Sequence, residues 1–246
     1  MLTAILSDIH ANREAFEACL AAAREAGAER LVLLGDIVGY GADPEWCVAM
    51  ARDLAARGAI CIRGNHDAAV VEPDIAMNST ARAAIEWTRT RLDADAKAFL
   101  AHLPLEARDG DRLYVHADAS NPGRWNYVTD ADRAGQHFAA STERVSFCGH
   151  VHVPALYSLS PQKHVTAFTP SSATPVPLMA QRRWLAVMGA VGQPRDGNPA
   201  AAFGLYDTDT RELRFMRAAY DVEAAAARIR AAGLPESLAA RLLKGR

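Results

Sequence analysis

The chain has 246 residues, 50% of them apolar, with a formal net charge of −2 and a pI near 6.4. That balance leaves no basic footprint for nucleic acid, and no block of like charge marks an interaction tail. No uncharged apolar run approaches the ~20 residues that span a bilayer, so no membrane partner is expected. The first residues enter a strand pattern at once, with no basic region and no cleavage site. A secretory signal is therefore not expected, and a cytoplasmic location is.

Taken in chain order, residues 2–7 are apolar and strand-like, and residues 13–26 place Phe16, Cys19, Leu20 and Ala23 at helical spacing. Gly27 is the expected stop of that helix. A second short apolar run covers 30–34. Asp43 as a cap and Pro44 in the first turn open a second helix that ends near Gly58, and residues 59–63 form a third strand. Strand–helix–strand–helix–strand with short connections implies right-handed crossovers and parallel pairing. Residues 78–103 read as helical in two pieces broken near Asp93, followed by a strand at 112–116, a helix at 129–140 and a strand at 144–149. Beyond them, 155–160 and 163–168 suggest a hairpin, with further strands at 183–188, 202–207 and 212–217. A helical tail over 221–244 is divided by Gly233 and Pro235; its apolar face (Val222, Ala225, Ala226, Ile229) is expected to pack on its own domain. The expected organisation is α/β, one domain over residues 1–246. The four cysteines, Cys19, Cys47, Cys61 and Cys148, lie in apolar stretches with no C-x-x-C pair and read as buried free thiols.

The chemistry lies where these strands end. Asp8-Ile9-His10 follows the first, Gly35-Asp36 the second, Gly64-Asn65-His66-Asp67 the third. His116 and Gly149-His150-Val151-His152 end the strands further on. Ligands of open α/β sheets gather at the carboxyl ends of strands, so topology and chemistry agree. The set spends most of the chain's eight histidines and supplies the oxygen and imidazole donors that first-row transition metals take. Residues two apart on an extended chain point the same way, so Asp8 and His10 can face one ion. Asp36 can bridge two ions, and Asn65 offers a neutral oxygen that leaves them electrophilic. Each piece alone is an ordinary turn or helix cap; the ordered set is what carries the reading. Mixed oxygen and nitrogen donors suit manganese, iron, zinc or nickel alike.

This motif order resembles the calcineurin-type metallophosphoesterase family from Asp8 to His152. The resemblance implies two packed mixed β-sheets flanked by helices, a four-layer sandwich. It implies one metal on Asp8, His10, Asp36 and His152 and another on Asp36, Asn65, His116 and His150. It places His66 beside the substrate rather than on a metal. Two such ions, roughly 3.5–4 Å apart, stabilise both oxygens of an in-line displacement and form a hydroxide near neutral pH. His66 is the expected proton donor to the leaving oxygen, with Asp67 as a residue that could orient it. Asn12 and Arg63 are candidate phosphate contacts.

Gly39-Tyr40-Gly41 stands where protein serine/threonine phosphatases of this family carry Asp-Arg-Gly. A phenol cannot replace a bidentate guanidinium, so protein phosphatase activity is disfavoured and Tyr40 is expected to cover the pocket. The resemblance runs instead to the small bacterial and archaeal phosphodiesterase-like branch. The expected activity is hydrolysis of small phosphate esters, monoesters or diesters. The alternative is asymmetrical cleavage of dinucleoside polyphosphates. A non-catalytic scaffold is the reading from another class, and the intact ligand set and His66 count against it. Trp125 and Tyr127 are the aromatics placed for substrate contact, while His102, His137 and His164 read as surface or partly buried. The loop Val191–Gly197 resembles one seen in bacterial relatives, equally a plain turn or a support for the site. The patterning fixes no oligomeric state.

Overall fold

Helix follows strand twice at the start of the chain, in the computed structural model describing residues 1–246. Strand β1 (Leu2–Leu6), helix α1 (Arg13–Glu25), β2 (Arg30–Leu33), α2 (Pro44–Ala56) and β3 (Ile60–Cys61) come in that order. Helices α3 (Asn65–Val71), α4 (Ser79–Arg91) and α5 (Ala94–His102) follow. The next group is β4 (Glu106–Asp109), β5 (Arg112–Val115), α6 (Ala131–Ala140) and β6 (Val145–Cys148). Six more strands complete the sheets: β7 (Ala155–Leu159), β8 (Val165–Phe168), β9 (Val176–Pro177), β10 (Arg183–Val187), β11 (Ala201–Asp207) and β12 (Glu212–Ala218). Helices α7 (Val222–Ala231) and α8 (Glu236–Lys244) end the chain.

Two six-stranded sheets result, ordered β3-β2-β1-β11-β12-β9 and β4-β5-β6-β10-β7-β8. The crossovers make β1, β2 and β3 parallel, while β11 joins β1 antiparallel and extends the sheet. In the second sheet β5, β6 and β10 are parallel and the outer strands antiparallel. Both sheets are therefore mixed, as the resemblance implied.

Alternation along each strand sets the layers. Ile5, Val32 and Tyr206 of the first sheet meet Phe147, Trp184 and Met188 of the second in a shared interior. Ala4, Leu6, Leu33 and Phe203 turn the other way and pack beneath Phe16, Cys19, Val48 and Ala51 of α1 and α2. On the far face, Val115, Leu185 and Val187 bury against Ala134 and Phe138 of α6. Helix, sheet, sheet and helix thus stack in four layers. Strands covered on both faces read as continuous apolar runs, which is why the sequence shows runs rather than alternation.

Some local expectations needed correction. β4 and β9 gave no sequence signal: one is charged (Glu-Ala-Arg-Asp) and the other is two residues long. Asp43 does not cap α2 with its side chain, because Arg228 draws its carboxylate away. The α4–α5 break falls at Asp93 as expected, where its carboxylate caps α5 through Ala96 N at 2.7 Å. All four cysteines are buried free thiols. No helix is long and apolar enough to cross a membrane.

Helices α7 and α8 cover the body rather than projecting from it. Ala225, Ala226, Ile229, Leu238 and Leu242 form one buried cluster with Tyr40, Ala81 and Ala84. Gly233, at φ +71°, turns the chain between the two helices. Ile229→Ala should lower unfolding free energy by about 2–4 kcal/mol, the usual cost of emptying a buried aliphatic site. Denaturant unfolding followed by circular dichroism checks this; an unshifted midpoint would mean that the tail is not docked as described.

Candidate metal centre

Five strand ends deliver the candidate ligands to one place. Asp8 lies two residues past β1, Asp36 three past β2, and Asn65 opens α3 after β3. His116 follows β5 directly, and His150 and His152 follow β6. The first three come from one sheet and the rest from the other, so the site spans the end of the sandwich. Bonds between the loops hold it: His10 N–H donates to Asp36 O at 2.8 Å, Gly149 N–H to His116 O at 2.9 Å and Gly192 N–H to Asp8 O at 2.8 Å.

The backbone there is strained. Asp8, His10, Asp36, His150 and His152 have φ values of +55°, +50°, +53°, +68° and +64°. Each such residue costs on the order of 1–3 kcal/mol and persists only where its surroundings over-determine it. Asp and His tolerate this region better than branched residues do. Two glycines allow the close approach: a Cβ on Gly149 would run into Ser7 Oγ and Asp8 Oδ2, and one on Gly64 into Asp36 Oδ1.

The side-chain atoms converge in two groups. Around one position, Asp8 Oδ1 is 3.2 Å from His152 Nε2 and 3.8 Å from His10 Nε2, and the two imidazole nitrogens are 3.1 Å apart. Around the other, His116 Nε2 is 3.2 Å from His150 Nδ1 and 3.3 Å from Asn65 Oδ1. Asp36 Oδ2 lies between, 3.6 Å from His10 Nε2 and 3.4 Å from His116 Nε2. Its other oxygen accepts the His66 backbone N–H at 2.8 Å.

Carbonyls behind the rings decide what these nitrogens are. His10 Nδ1 faces Val38 O at 3.2 Å, His116 Nδ1 faces Leu34 O at 2.7 Å, and His152 Nδ1 faces Gln193 O at 2.6 Å. A carbonyl only accepts, so each Nδ1 must carry the proton, and each neutral ring then points an Nε2 lone pair inward. His10 and His152 oppose lone pairs across 3.1 Å beside a carboxylate. That arrangement is stable only around a cation, so the donor set fits metal ions. Protonation reflects the same demand. Burial works against charge on His116, but Asp36 outweighs it and pushes the ring up to about 9. Burial holds His66 down at about 4 and His150 at about 3. Asp8 is held well below the usual carboxylate range: burial opposes this, and the adjacent His152 ring in its charged form prevails.

The sequence candidates fare differently around this centre. His66 lies on the wall of a cavity of about 110 Å³ with Asp36, Asn65, His150 and His152. It packs edge-on to His10 with ring centroids 4.8 Å apart, and its Nδ1 is buried without a partner. Asp67 does not touch that ring. It stands at the third residue of α3 and reaches back to the Gly64 N–H at 3.0 Å, and it also accepts from Ile37 N at 2.8 Å and Val38 N at 3.3 Å. It braces the loop carrying Asp36, and burial together with Asp36 raises its carboxyl to about 7. Tyr40 lines the cavity, its ring 4.4 Å from that of His66. Asn12 is occupied elsewhere: it caps α1 through Ala15 N at 3.1 Å and donates to Gly192 O at 2.9 Å. Arg63 turns away to Glu72 Oε1 at 3.1 Å and Ala101 O at 3.3 Å.

Four residues outside the ligand set also shape the site. Tyr127 stacks on His150 at 4.0 Å and lines the cavity, while Trp125 meets the His116 ring edge-on at 5.9 Å. His137, read from sequence as surface or partly buried, is fully buried and accepts Ala119 N–H on Nδ1 at 3.1 Å, bracing the turn after His116. Arg195, in the loop Val191–Gly197, also lines the cavity, and that loop was its only sequence signal.

Comparison with known proteins agrees with this architecture. Residues 1–211 match the family described as calcineurin-like phosphoesterase superfamily domain. An uncharacterized protein of Methanocaldococcus jannaschii is 31% identical over 256 residues, covering 100% of this chain and 98% of its own. A metallophosphoesterase from Sphaerobacter thermophilus superposes with a TM-score of 0.88 at 36% identity, covering 100% of this chain and 99% of its own. A hypothetical protein from Pyrococcus horikoshii shares the fold with a TM-score of 0.79 at 20% identity, covering 100% and 98%. The chain belongs to the calcineurin-like phosphoesterase superfamily.

Proposed function

We propose that this protein is a metal-dependent phosphoesterase that hydrolyses small phosphate esters at a pair of transition-metal ions. Asp8, His10, Asp36 and His152 would hold one ion, and Asp36, Asn65, His116 and His150 the other. The observation that carries the reading is Asp36 Oδ2, which faces His10 Nε2 at 3.6 Å and His116 Nε2 at 3.4 Å. Ions held there supply Lewis acidity and a nucleophile at neutral pH.

The chain's own residues do the rest. Tyr40 and Tyr127 wall the cavity beside the ligand rings and restrict water. His66 reaches the same cavity; its Nδ1 is buried against Gly39, so Nε2 is the nitrogen that would hand a proton to the leaving oxygen. Burial keeps the free ring neutral, and an arriving phosphate anion favours its charged form. Asp67 acts through the backbone as a brace on the Asp36 loop. The same residues would serve cleavage of a dinucleoside polyphosphate, which differs only in its leaving group.

A panel of p-nitrophenyl phosphate, bis-p-nitrophenyl phosphate and a dinucleoside tetraphosphate, run with manganese, iron, zinc and nickel, tests the reading. Metal-dependent turnover of at least one is expected; inertness toward all of them in metal-loaded protein would refute it. Asp36→Asn should lower the content of both metals, whereas His116→Ala should lower mainly one. Two full equivalents retained in Asp36→Asn would contradict a bridging carboxylate. His66→Ala should keep its metals and lose about 10²–10⁴-fold on poor leaving groups, with much less loss on p-nitrophenolate. Equal losses on both would remove the acid role.

A further inference from the structure

One charged side chain in the cavity is left without a counter-charge. Arg195 lines the same wall as Asp36, His66 and His150. No carboxylate oxygen lies within 4.0 Å of its guanidinium, and the adjacent Asp196 pairs with Arg217 instead. Its guanidinium stands 5.8 Å over the Tyr40 ring. Gln193 fixes it from behind: Oε1 of this buried residue accepts from Arg195 Nη2 at 3.1 Å. The backbone carbonyl of Gln193 also holds His152 Nδ1 at 2.6 Å, and Arg195 N–H donates to His152 O at 3.1 Å. The loop therefore ties the guanidinium and a candidate ligand ring into one unit.

We propose that Arg195 is a substrate-binding residue that clamps a phosphoryl oxygen, and that the cavity is built for dianionic phosphoryl groups: phosphomonoesters or terminal phosphates rather than diesters. Two divalent ions bring more positive charge than Asp8 and Asp36 cancel, and Arg195 adds to the surplus. A cation placed there is unfavourable until an anion sits among these charges. A monoester has a third non-bridging oxygen for the guanidinium; a diester has none to spare. Arg63 is engaged with Glu72 and is not available for that oxygen.

The proposal deepens the phosphoesterase reading of the same site, and its test separates the two. Inorganic phosphate is titrated calorimetrically into manganese-loaded wild-type, Arg195→Gln and Arg195→Lys protein, with metal content and thermal midpoint measured in each. Arg195→Gln should keep its metals and bind phosphate at least about tenfold more weakly. Its kcat/KM should fall about a hundredfold on p-nitrophenyl phosphate and less than about tenfold on bis-p-nitrophenyl phosphate. Lysine should restore only part of either, because an ammonium cannot fork to two oxygens. Unchanged phosphate affinity, equal losses on the two esters or full rescue by lysine would overturn the proposal. If the wild-type protein cleaves no ester, the phosphoesterase reading fails, and the phosphate titration alone decides the role of Arg195.

Discussion

Lone pairs that face one another without a proton between them are the constraint on which this molecule turns. His10, His116 and His152 are each tied by Nδ1 to a backbone carbonyl, which fixes a proton on Nδ1 before any ion arrives. Their Nε2 atoms and the carboxylates of Asp8 and Asp36 then crowd together with almost no exposure to solvent. Burying such acceptors together is costly unless a positive charge sits among them. The arrangement makes sense as a receptor for cations, and the raised pKa of His116 is the same demand met by a proton.

The fold supplies the stiffness that this crowding needs. Strands from two sheets stop at one level, and loops of a few residues turn at positive φ to bring their side chains inward. Gly64 and Gly149 let those loops approach the carboxylates without a Cβ in the way. Asp67 gathers three backbone N–H groups of the loops that carry Asp36 and His66. The terminal helices contribute at a distance, since Ile229 and Leu242 pack in the cluster that seats Tyr40 on the cavity wall. Local strain at the centre is thus held by packing well outside it.

Much of this was legible from the chain. Buried strands appear as apolar runs, and each run ends on a polar residue whose type and order match a metal site, so Asp8, Asp36, Asn65, His116, His150 and His152 could be named before any contact was known. The break at Asp93 was legible because its carboxylate bonds to nearby backbone, whereas Asn12, expected at the phosphate, caps α1 instead. What failed depended on long-range partners. Asp43 was expected to cap α2, but Arg228 from α7 takes its carboxylate. Asp67 sits beside His66 in sequence, yet the start of a helix sends the two side chains to different partners. Arg63 precedes the motif and turns outward, while Arg195 arrives from a loop more than a hundred residues later. His137 read as surface or partly buried because one buried backbone N–H, the group it serves, leaves no periodic trace.

Two cations sharing Asp36 would be directly visible. Anomalous diffraction from crystals soaked in manganese, recorded near the manganese edge, tests for them most directly. Two peaks flanking Asp36 Oδ2 are expected, one beside Asp8, His10 and His152 and the other beside Asn65, His116 and His150. A single peak at saturating manganese, or peaks away from Asp36, would contradict it.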